Sequence, residues 1–557
     1  MQLEADSVLS RAESLLARGD TPAAVELLES ARAHHSRHAG IALRLADALQ
    51  ACGRLREAVT AYTEALGLDA ASAESWYGSG CAHLSLRAFG AAAGAFARAC
   101  ELAPHAGIVH FNRAASLFEL GHIEDAIEHY RRAARLEPEL ARRALASIAC
   151  IIPGSSEADH ETVLESRRSW AALEMHGVAS CRSNPPPQPA ARSAWPRMLR
   201  VGYLSAFFGD RNWMKPVFAL INRHDRAAFA VHLFSDGSLP CAASGYCDHD
   251  SDTIHDMRGA DNDRAADHIR AQAIDVLVDL NAYSFQRRLP MLLQRPAARI
   301  VGWFNSFATS GFSACDWIVG DPAVVRESEE RYYCERVHRV AGTYLAFEFR
   351  YPVPEVAPPP CIAQGGEVTF GYLGSHYKLT DAVLGAWARI LRAAPRARLL
   401  VKTASLDEPS TREELLERLS SRGVERARVR TEGRSEHYEF LEAYRHVDIA
   451  LDTFPYNGGT TTTEALWQGV PVLAFDGDRW ASRTSKSLLL AAGLEDWVLP
   501  DLERYEERAA ALACDPATPT MLARLRAGMR ARLKASPACD AEGLCRAMEA
   551  FYVSIAR

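Results

Sequence analysis

Residues 448–467 read DIALDTFPYNGGTTTTEALW. A short aliphatic run, Asp448–Leu451, passes into a Pro- and Gly-bearing loop and then into a helix-forming run. That is the strand–loop–helix unit of a parallel sheet. Gly458 and Gly459 let the backbone come close to a ligand. The N–H groups that follow, at Thr460, Thr461 and Thr462, sit at a helix start and suit a phosphate. Asn457 borders them, and the threonine hydroxyls add donors without adding charge. There is no GxxxxGK[ST], so this is not a P-loop. A plainer reading competes: Thr461 and Glu464 have capping-box spacing, and the threonines then simply start the helix.

Working outward, the same alternation fills both flanks. Before this stretch, aliphatic runs at Glu367–Leu373, Ala397–Lys402 and Ala427–Arg430 alternate with helical patterns at Asp381–Arg392, Thr411–Arg422 and Tyr438–Arg445. After it come Pro471–Phe475 and a helix over Ser482–Ala492. Further upstream a second block has strands at Leu199–Ser205, Ala230–Phe234, Asp275–Leu280, Arg299–Trp303 and Trp317–Val319, with a helix at Asp263–Gln272. Prolines at Pro352, Pro354 and Pro358–Pro360 separate the blocks. Two doubly wound α/β domains facing a cleft are predicted, with ligands beyond the carboxyl ends of strands. A second strand-end segment then stands out, Gly374-Ser375-His376-Tyr377-Lys378-Leu379-Thr380. Two readings compete for Lys378: a cation that neutralises a departing diphosphate, and a solvated loop lysine.

The first 140 residues obey a different period. Windows 5–38, 39–72, 73–106 and 107–140 align at 34 residues. Their twentieth places are Ala24, Ala58, Ala92 and Ala126; their twenty-seventh are Ala31, Ala65, Ala99 and Ala133. The eighth is small (Ala12, Ala46, Gly80, Ala114) and the twenty-fourth is large (Leu28, Tyr62, Phe96, Tyr130). Gly19, Gly53 and Gly121 mark the turn within a unit, where the third unit has Arg87. Small residues let paired helices approach while the large one fills the gap to the next unit, which resembles the tetratricopeptide repeat (TPR). A helical connector with a breaker at Ile152-Pro153-Gly154 follows, amphipathic from about Glu161 to Glu174. The stiff linker Asn184-Pro185-Pro186-Pro187-Gln188-Pro189 closes it.

Composition removes other classes. The 557 residues suggest about three or four folding units. A net charge of −7 argues against general nucleic-acid binding. No apolar run approaches the roughly 20 residues of a membrane span. The start, MQLEADSVLSRAESLL, has no basic region followed by an apolar core, so no signal peptide is expected. Thirteen scattered cysteines without CxxC spacing read as reduced thiols of a cytoplasmic protein, with no zinc or disulfide framework. Asp248-His249-Asp250 and Asp261-Asn262-Asp263 read as solvated loops rather than metal sites.

These motifs together resemble the family 41 glycosyltransferases, which include protein O-GlcNAc transferases and SPINDLY-type protein O-fucosyltransferases. LDTFPYNGGTTTTEALWQGVPVL is similar to the family's central motif, FGYLGSHYKLTDAVLGAWARIL to its lysine segment and ASRTSKSLLLAAGL to its following helix. LRVGYLSAFFGD, VLVDLNAY and WFNSFATSGFSACDWIVGD resemble its upstream segments. The resemblance implies a TPR solenoid followed by a GT-B fold of two Rossmann-like domains. The boundaries expected are repeats over 1–140, connector and linker over 141–197, an acceptor-side domain over 198–357 and a donor-binding domain over 358–557. It implies inverting, metal-independent transfer of a sugar from a nucleotide donor to protein Ser or Thr hydroxyls, with no further cofactor. GlcNAc from UDP-GlcNAc is the first expectation. Fucose from GDP-fucose, another sugar on a bacterial surface or flagellar protein, and an inactive repeat scaffold are the alternatives. The acceptor protein is expected in the repeat groove.

Residue by residue, the resemblance places Lys378 at the leaving diphosphate with Ser375 beside it. Thr460 and Thr461 fall on the donor phosphate and Glu464 on the ribose. His437 is placed near the base, with Arg434 adjacent. Gly459 stands where O-GlcNAc transferases have histidine. Near the start of the upstream block, Arg211 occupies the family's histidine position. Arginine is a poor base; the neighbouring Asp210 is either a proton acceptor or a plain loop carboxylate. The sixth places of the repeats, Ser10, Arg44, Gly78 and Asn112, form no asparagine ladder.

Overall fold

The computed structural model describes residues 2–179 and 197–557; the linker expected at 184–189 lies outside them. Eight helices pair off over the repeat windows: Gln2–Ala17 with Thr21–His34, Ala39–Ala51 with Leu55–Leu68, Ala73–Ser85 with Phe89–Leu102, and Gly107–Glu119 with Ile123–Leu136. Every eighth-, twentieth-, twenty-fourth- and twenty-seventh-place residue is buried, Gly80 included. The close approach is literal. A Cβ on Gly80 would lie 2.6 Å from the Phe96 ring, and one on Gly78 would lie 2.4 Å from Tyr62 of the preceding unit. Gly19, Gly53 and Gly121 have φ near +80°, and Arg87 adopts the same left-handed backbone at φ 62°. That costs a non-glycine residue on the order of 1 kcal/mol, which repeat stacking absorbs. Pro138, near the end of the fourth window, opens the next helix, Pro138–Ile151, at a position where its missing N–H is harmless. A 3-10 turn at Ile152–Gly154 and the helix His160–Ala179 follow.

Two all-parallel sheets make up the rest. The first has seven strands: β1 (Leu199–Ser205), β2 (Phe229–Ser235), β3 (Thr253–Asp256), β4 (Val276–Asp279), β5 (Arg299–Gly302), β6 (Trp317–Gly320) and β7 (Arg336–Arg339). Their order is β3-β2-β1-β4-β5-β6-β7. The second has β8 (Thr369–Leu373), β9 (Arg398–Lys402), β10 (Val429–Glu432), β11 (Ile449–Leu451), β12 (Val472–Phe475) and β13 (Val498–Leu499), ordered β10-β9-β8-β11-β12-β13. Both sheets therefore carry the doubly wound 3-2-1-4-5-6 order.

The sequence pattern lacks β3, β7 and β13, which are edge strands. β3 and β7 are short and polar, as unpaired edges tend to be. β10 begins two residues later than expected because Arg426–Arg428 forms a 3-10 turn. Asp261-Asn262-Asp263 is not a loop. Asp261 caps the helix Asn262–Ala271 through its carboxylate and the Arg264 N–H.

The last helix, Ala541–Ala556, follows the second sheet in sequence but packs on the first. Phe551 stacks on His338 at 3.8 Å and meets Trp317 edge-on. Glu549 takes the His224 Nδ1 at 2.9 Å. This crossing ties the two α/β units together.

The repeat array docks on the second sheet's helices. Arg418 donates to Leu120 O at 2.7 Å and to Leu379 O at 3.0 Å, so one guanidinium binds the fourth repeat to the lysine segment. Phe118 stacks on Tyr377 at 4.9 Å. A Cβ on Gly121 would lie 2.4 Å from Leu379 O, so only glycine permits this contact. His122 reaches Glu414 at 2.9 Å and Asp381 at 3.8 Å. Burial alone would lower the His122 pKa, but the two carboxylates outweigh it and raise it to about 9.

Candidate functional site at the strand-order switch

In each sheet the strand order reverses between the first and fourth strands, β1/β4 and β8/β11. Loops diverge there and leave a crevice. The segments singled out from sequence, Gly374–Thr380 after β8 and Asp452–Gly459 after β11, are the two that flank the second crevice.

They meet. Lys378 Nζ donates to Asn457 O at 2.8 Å and sits 4.4 Å above the Tyr456 ring. Asp452 Oδ1 accepts the Thr453 and Gly458 N–H groups at 3.0 and 2.9 Å, which curls the loop beneath the lysine. Ser485 Oγ donates to Gly458 O at 3.0 Å and lies 2.8 Å from Thr462 Oγ1. A Cβ on Gly458 would be 2.3 Å from Thr462 Oγ1, so the glycine is a packing requirement. The Tyr444 hydroxyl and the Thr463 hydroxyl hold Thr461 O and Thr460 O. Burial pulls Lys378 below its ordinary value, with Asp452 opposing. Burial pushes Asp452 up, with the Gly458 N–H opposing.

The helix Thr460–Trp467 starts at Gly459 without a side-chain cap. The first-turn N–H groups of Thr460, Thr461 and Thr462 have no acceptor within their own helix. Thr461 and Glu464 do not form the capping box that their spacing allows. Glu464 turns away and crosses the cleft, where its Oε1 meets Lys215 Nζ at 2.7 Å with both groups buried.

Lys215 opens the helix Lys215–Ile221 of the first α/β unit, so this pair closes the cleft. Its Nζ also lies 4.5 Å over the Phe349 ring. His437 Nε2 stands 3.8 Å from Glu464 and 3.1 Å from the Tyr351 hydroxyl, and Arg211 lies 4.4 Å over the Tyr351 ring. Burial, then the charges of Lys215 and Arg211, push His437 down to about 4, so it is neutral near pH 7. Burial raises Glu464 and lowers Lys215, each opposed by the other's charge. Asp210 lies close enough to act on both charges. Its Oδ1 accepts the N–H groups of Asn212 and Trp213 at 3.1 and 3.0 Å, fixing the turn after β1.

The expected residues thus fall into two groups. Lys378, Asn457, Gly458, Gly459 and Thr460–Thr462 form one; Glu464, His437 and Asp210 form the other. Two residues join neither through their side chains. Ser375 is exposed, and its carbonyl accepts the Tyr372 hydroxyl at 2.8 Å. Arg434 is exposed, and only its backbone N–H is engaged, by Asp407. Lys215, Tyr351, Tyr456 and Asp452 also line the two groups, although the sequence motifs do not single them out. Lys215 had a signal: it is a lone lysine inside the apolar run WMKPVFALI.

Comparison with known proteins closes the question of kinship. The description of glycosyl transferase family 41 matches residues 157–357 and 365–548. The chain belongs to glycosyltransferase family 41. In this family 41 chain, tetratricopeptide repeat descriptions match residues 15–78 and 107–140. A Solanum lycopersicum protein named probable UDP-N-acetylglucosamine--peptide N-acetylglucosaminyltransferase SPINDLY is 31% identical over 371 residues, 65% of this chain and 39% of that protein. The Arabidopsis thaliana protein named SEC, with the same probable activity, is 25% identical over 343 residues, 59% of this chain and 34% of its own. The chain therefore spans well under half of these relatives. A variant of Thermobaculum terrenum O-GlcNAc transferase superimposes with a TM-score of 0.79 at 29% identity, covering 93% of this chain and 97% of that one. Its repeats-plus-two-sheets architecture is shared by this family 41 member.

Proposed function

We propose that this chain transfers a sugar from a nucleotide diphosphate donor to a protein Ser or Thr hydroxyl, with inversion and without a metal. The observation that carries this reading is the convergence of Lys378 and the uncapped helix start at Thr460 on one crevice. A diphosphate leaving from the anomeric carbon gains negative charge there. The Lys378 ammonium and the N–H and hydroxyl groups of Thr460, Thr461 and Thr462 stabilise that charge. Each such donor is worth about 3–4 kcal/mol by analogy with oxyanion-hole deletions.

Neutral His437 and Glu464 suit the base and ribose end. Glu464 exchanges Lys215 for ribose hydroxyls. Asn457 Oδ1 is buried with no hydrogen-bond partner, an acceptor suited to a donor hydroxyl. On the opposite wall, Asp210 takes the acceptor's proton through the oxygen its turn leaves free.

The donor read first is UDP-GlcNAc, the sugar nucleotide in the names of the relatives. GDP-fucose is the second reading. Gly459 favours it, because O-GlcNAc transferases have a histidine there and SPINDLY-like members differ. The acceptor protein lies along the repeat arm, which abuts the lysine segment through Phe118 and Gly121. Among the described residues no helix is long and apolar enough to cross a membrane.

The test is release of nucleoside diphosphate from UDP-GlcNAc and GDP-fucose in parallel. The reading expects turnover with one of them, lost in Lys378→Ala. Turnover with neither, alongside any acceptor preparation, returns the chain to the inactive scaffold.

A further inference from the structure

The third and fourth repeats bring together a cluster that the transfer reaction does not use. Cys100 lies on the helix Phe89–Leu102, His110 on Gly107–Glu119 and His129 on Ile123–Leu136. One ligand atom from each falls within 4.8 Å of the others. Cys100 Sγ is 3.6 Å from His110 Nδ1, and His110 Nδ1 is 2.8 Å from His129 Nδ1. The two imidazoles stack at 5.0 Å.

The protonation pattern is that of a ligand set. His110 Nε2 donates to Pro104 O at 3.2 Å. That bond places the proton on Nε2 and leaves the Nδ1 lone pair facing the cluster, as the outer hydrogen bond of a metal-bound histidine does. His129 Nδ1 then donates to His110 Nδ1.

The Cys100–His110 and His110–His129 separations are near those of a tetrahedral site. Tetrahedral ligands at about 2.0–2.3 Å from a metal lie roughly 3.3–3.7 Å apart. The sulfur–nitrogen separation already meets this. The nitrogen–nitrogen separation must open by about half an ångström, which replacing a hydrogen bond by two metal bonds does.

We propose that Cys100, His110 and His129 bind a soft divalent cation of the zinc class, with water as fourth ligand, stapling the third repeat to the fourth. On binding, the Cys100 thiol releases its proton to solvent and the sulfur takes the metal. The proton held between the two Nδ1 atoms leaves, and His129 is reprotonated on Nε2. No oxidation is involved. Cys100 and His110 are buried and His129 is half-buried, which gives the ion an entry path. Arg113 and Arg132 flank the site. Their charge opposes a bare dication and favours a metal-bound thiolate. Arg113 Nε is buried without a partner, a donor suited to a metal-bound sulfur. Arg132 is turned to Pro104 O at 3.3 Å.

A second group, His224, Cys545 and Glu549, is the natural control. It is fully buried, and Glu549 there already takes His224 Nδ1 and the Asp225 N–H. In the sequence the three proposed ligands stand 10 and 19 residues apart, so only the stacking of repeats reveals them.

The test is titration of the reduced full chain with Co(II), followed by displacement with Zn(II). The proposal expects a thiolate-to-cobalt charge-transfer band that saturates at one equivalent and is reversed by Zn(II). Cys100→Ser abolishes the band, His129→Gln weakens Co(II) binding at least tenfold, and Cys545→Ser changes neither. Absence of the band in the wild type, or its persistence in Cys100→Ser, overturns the proposal. Should Cys100→Ser fail to fold, His129→Gln decides alone, and unchanged Co(II) affinity overturns it.

Discussion

The two sheets share one strand order but treat their switch points in opposite ways. At the second, Lys378 and an uncapped helix start face a crevice. At the first, the loops close on themselves. The Asp279 carboxylate takes the Asn281 and Ala282 N–H groups at 3.1 and 3.0 Å, and Asn281 Oδ1 takes the Ala206 N–H at 2.8 Å. Asn305 Nδ2 donates to Leu280 O at 2.8 Å. Burial pushes Asp279 up to about 6, with the Asn281 and Ala282 N–H groups opposing. One topology thus carries a lysine-lined crevice in one copy and mutually hydrogen-bonded loops in the other. Topology fixes where a site can be; loop chemistry decides whether it is there.

Several substitutions break or sharpen this contrast. The largest effect is expected where the two halves touch. Lys215→Met leaves Glu464 buried and unpaired and is expected to cost about 3–5 kcal/mol of stability in denaturant unfolding. Pairing it with Glu464→Gln should recover most of that, and a double variant as unstable as the single one would contradict the pairing. Next is Lys378→Ala, expected to lower turnover at least about 100-fold at saturating donor, about 3 kcal/mol of barrier. Near-normal turnover there removes the anion site.

Asp210→Asn separates turn from chemistry on the first wall, because an asparagine oxygen still accepts both N–H groups. Turnover is expected to fall about 100-fold, the low end for a lost general base, with the melting temperature unchanged. Equal turnover makes Asp210 a turn residue only.

The smallest effect concerns the repeat arm. His122 has a folded pKa of about 9 against an ordinary 6.5. A raised pKa means that the protonated form is held in the folded state. Its stabilisation is complete below about pH 6.5 and lost as pH rises through about 9. The melting temperature of the arm's docking should therefore fall by a few degrees across that interval in wild type. His122→Gln should be low and flat, and an equal slope in both assigns the loss elsewhere.

Much of this was legible in the sequence. The 34-residue period was readable because each place carries a fixed packing duty, as Tyr62 against Gly78 shows. The central strands were readable because burial on both faces makes them continuous aliphatic runs. Edges β3 and β7 were not, since half-exposed strands such as Thr253–Asp256 carry no such run. Lys378 and Thr460–Thr462 were readable because they follow strands. The Lys215–Glu464 pair was not, because it joins residues 249 positions apart across a cleft. Capping-box spacing even pointed Glu464 the wrong way: a local hydrogen bond lost to a buried ion pair. The family resemblance assigns Ser375 and Arg434 to the site, but both residues are exposed and join neither group through a side-chain hydrogen bond.

We place the nucleotide diphosphate at the second switch point and not at the first. Calorimetric titration of UDP and GDP into wild type, Gly458→Val and Asp210→Asn reads this out. One saturable site is expected in wild type for one of the two nucleotides. Loss of that site is expected in Gly458→Val, whose side chain fills the space of Thr462 Oγ1, and retention in Asp210→Asn. Unchanged binding in Gly458→Val, or loss in Asp210→Asn alone, contradicts it.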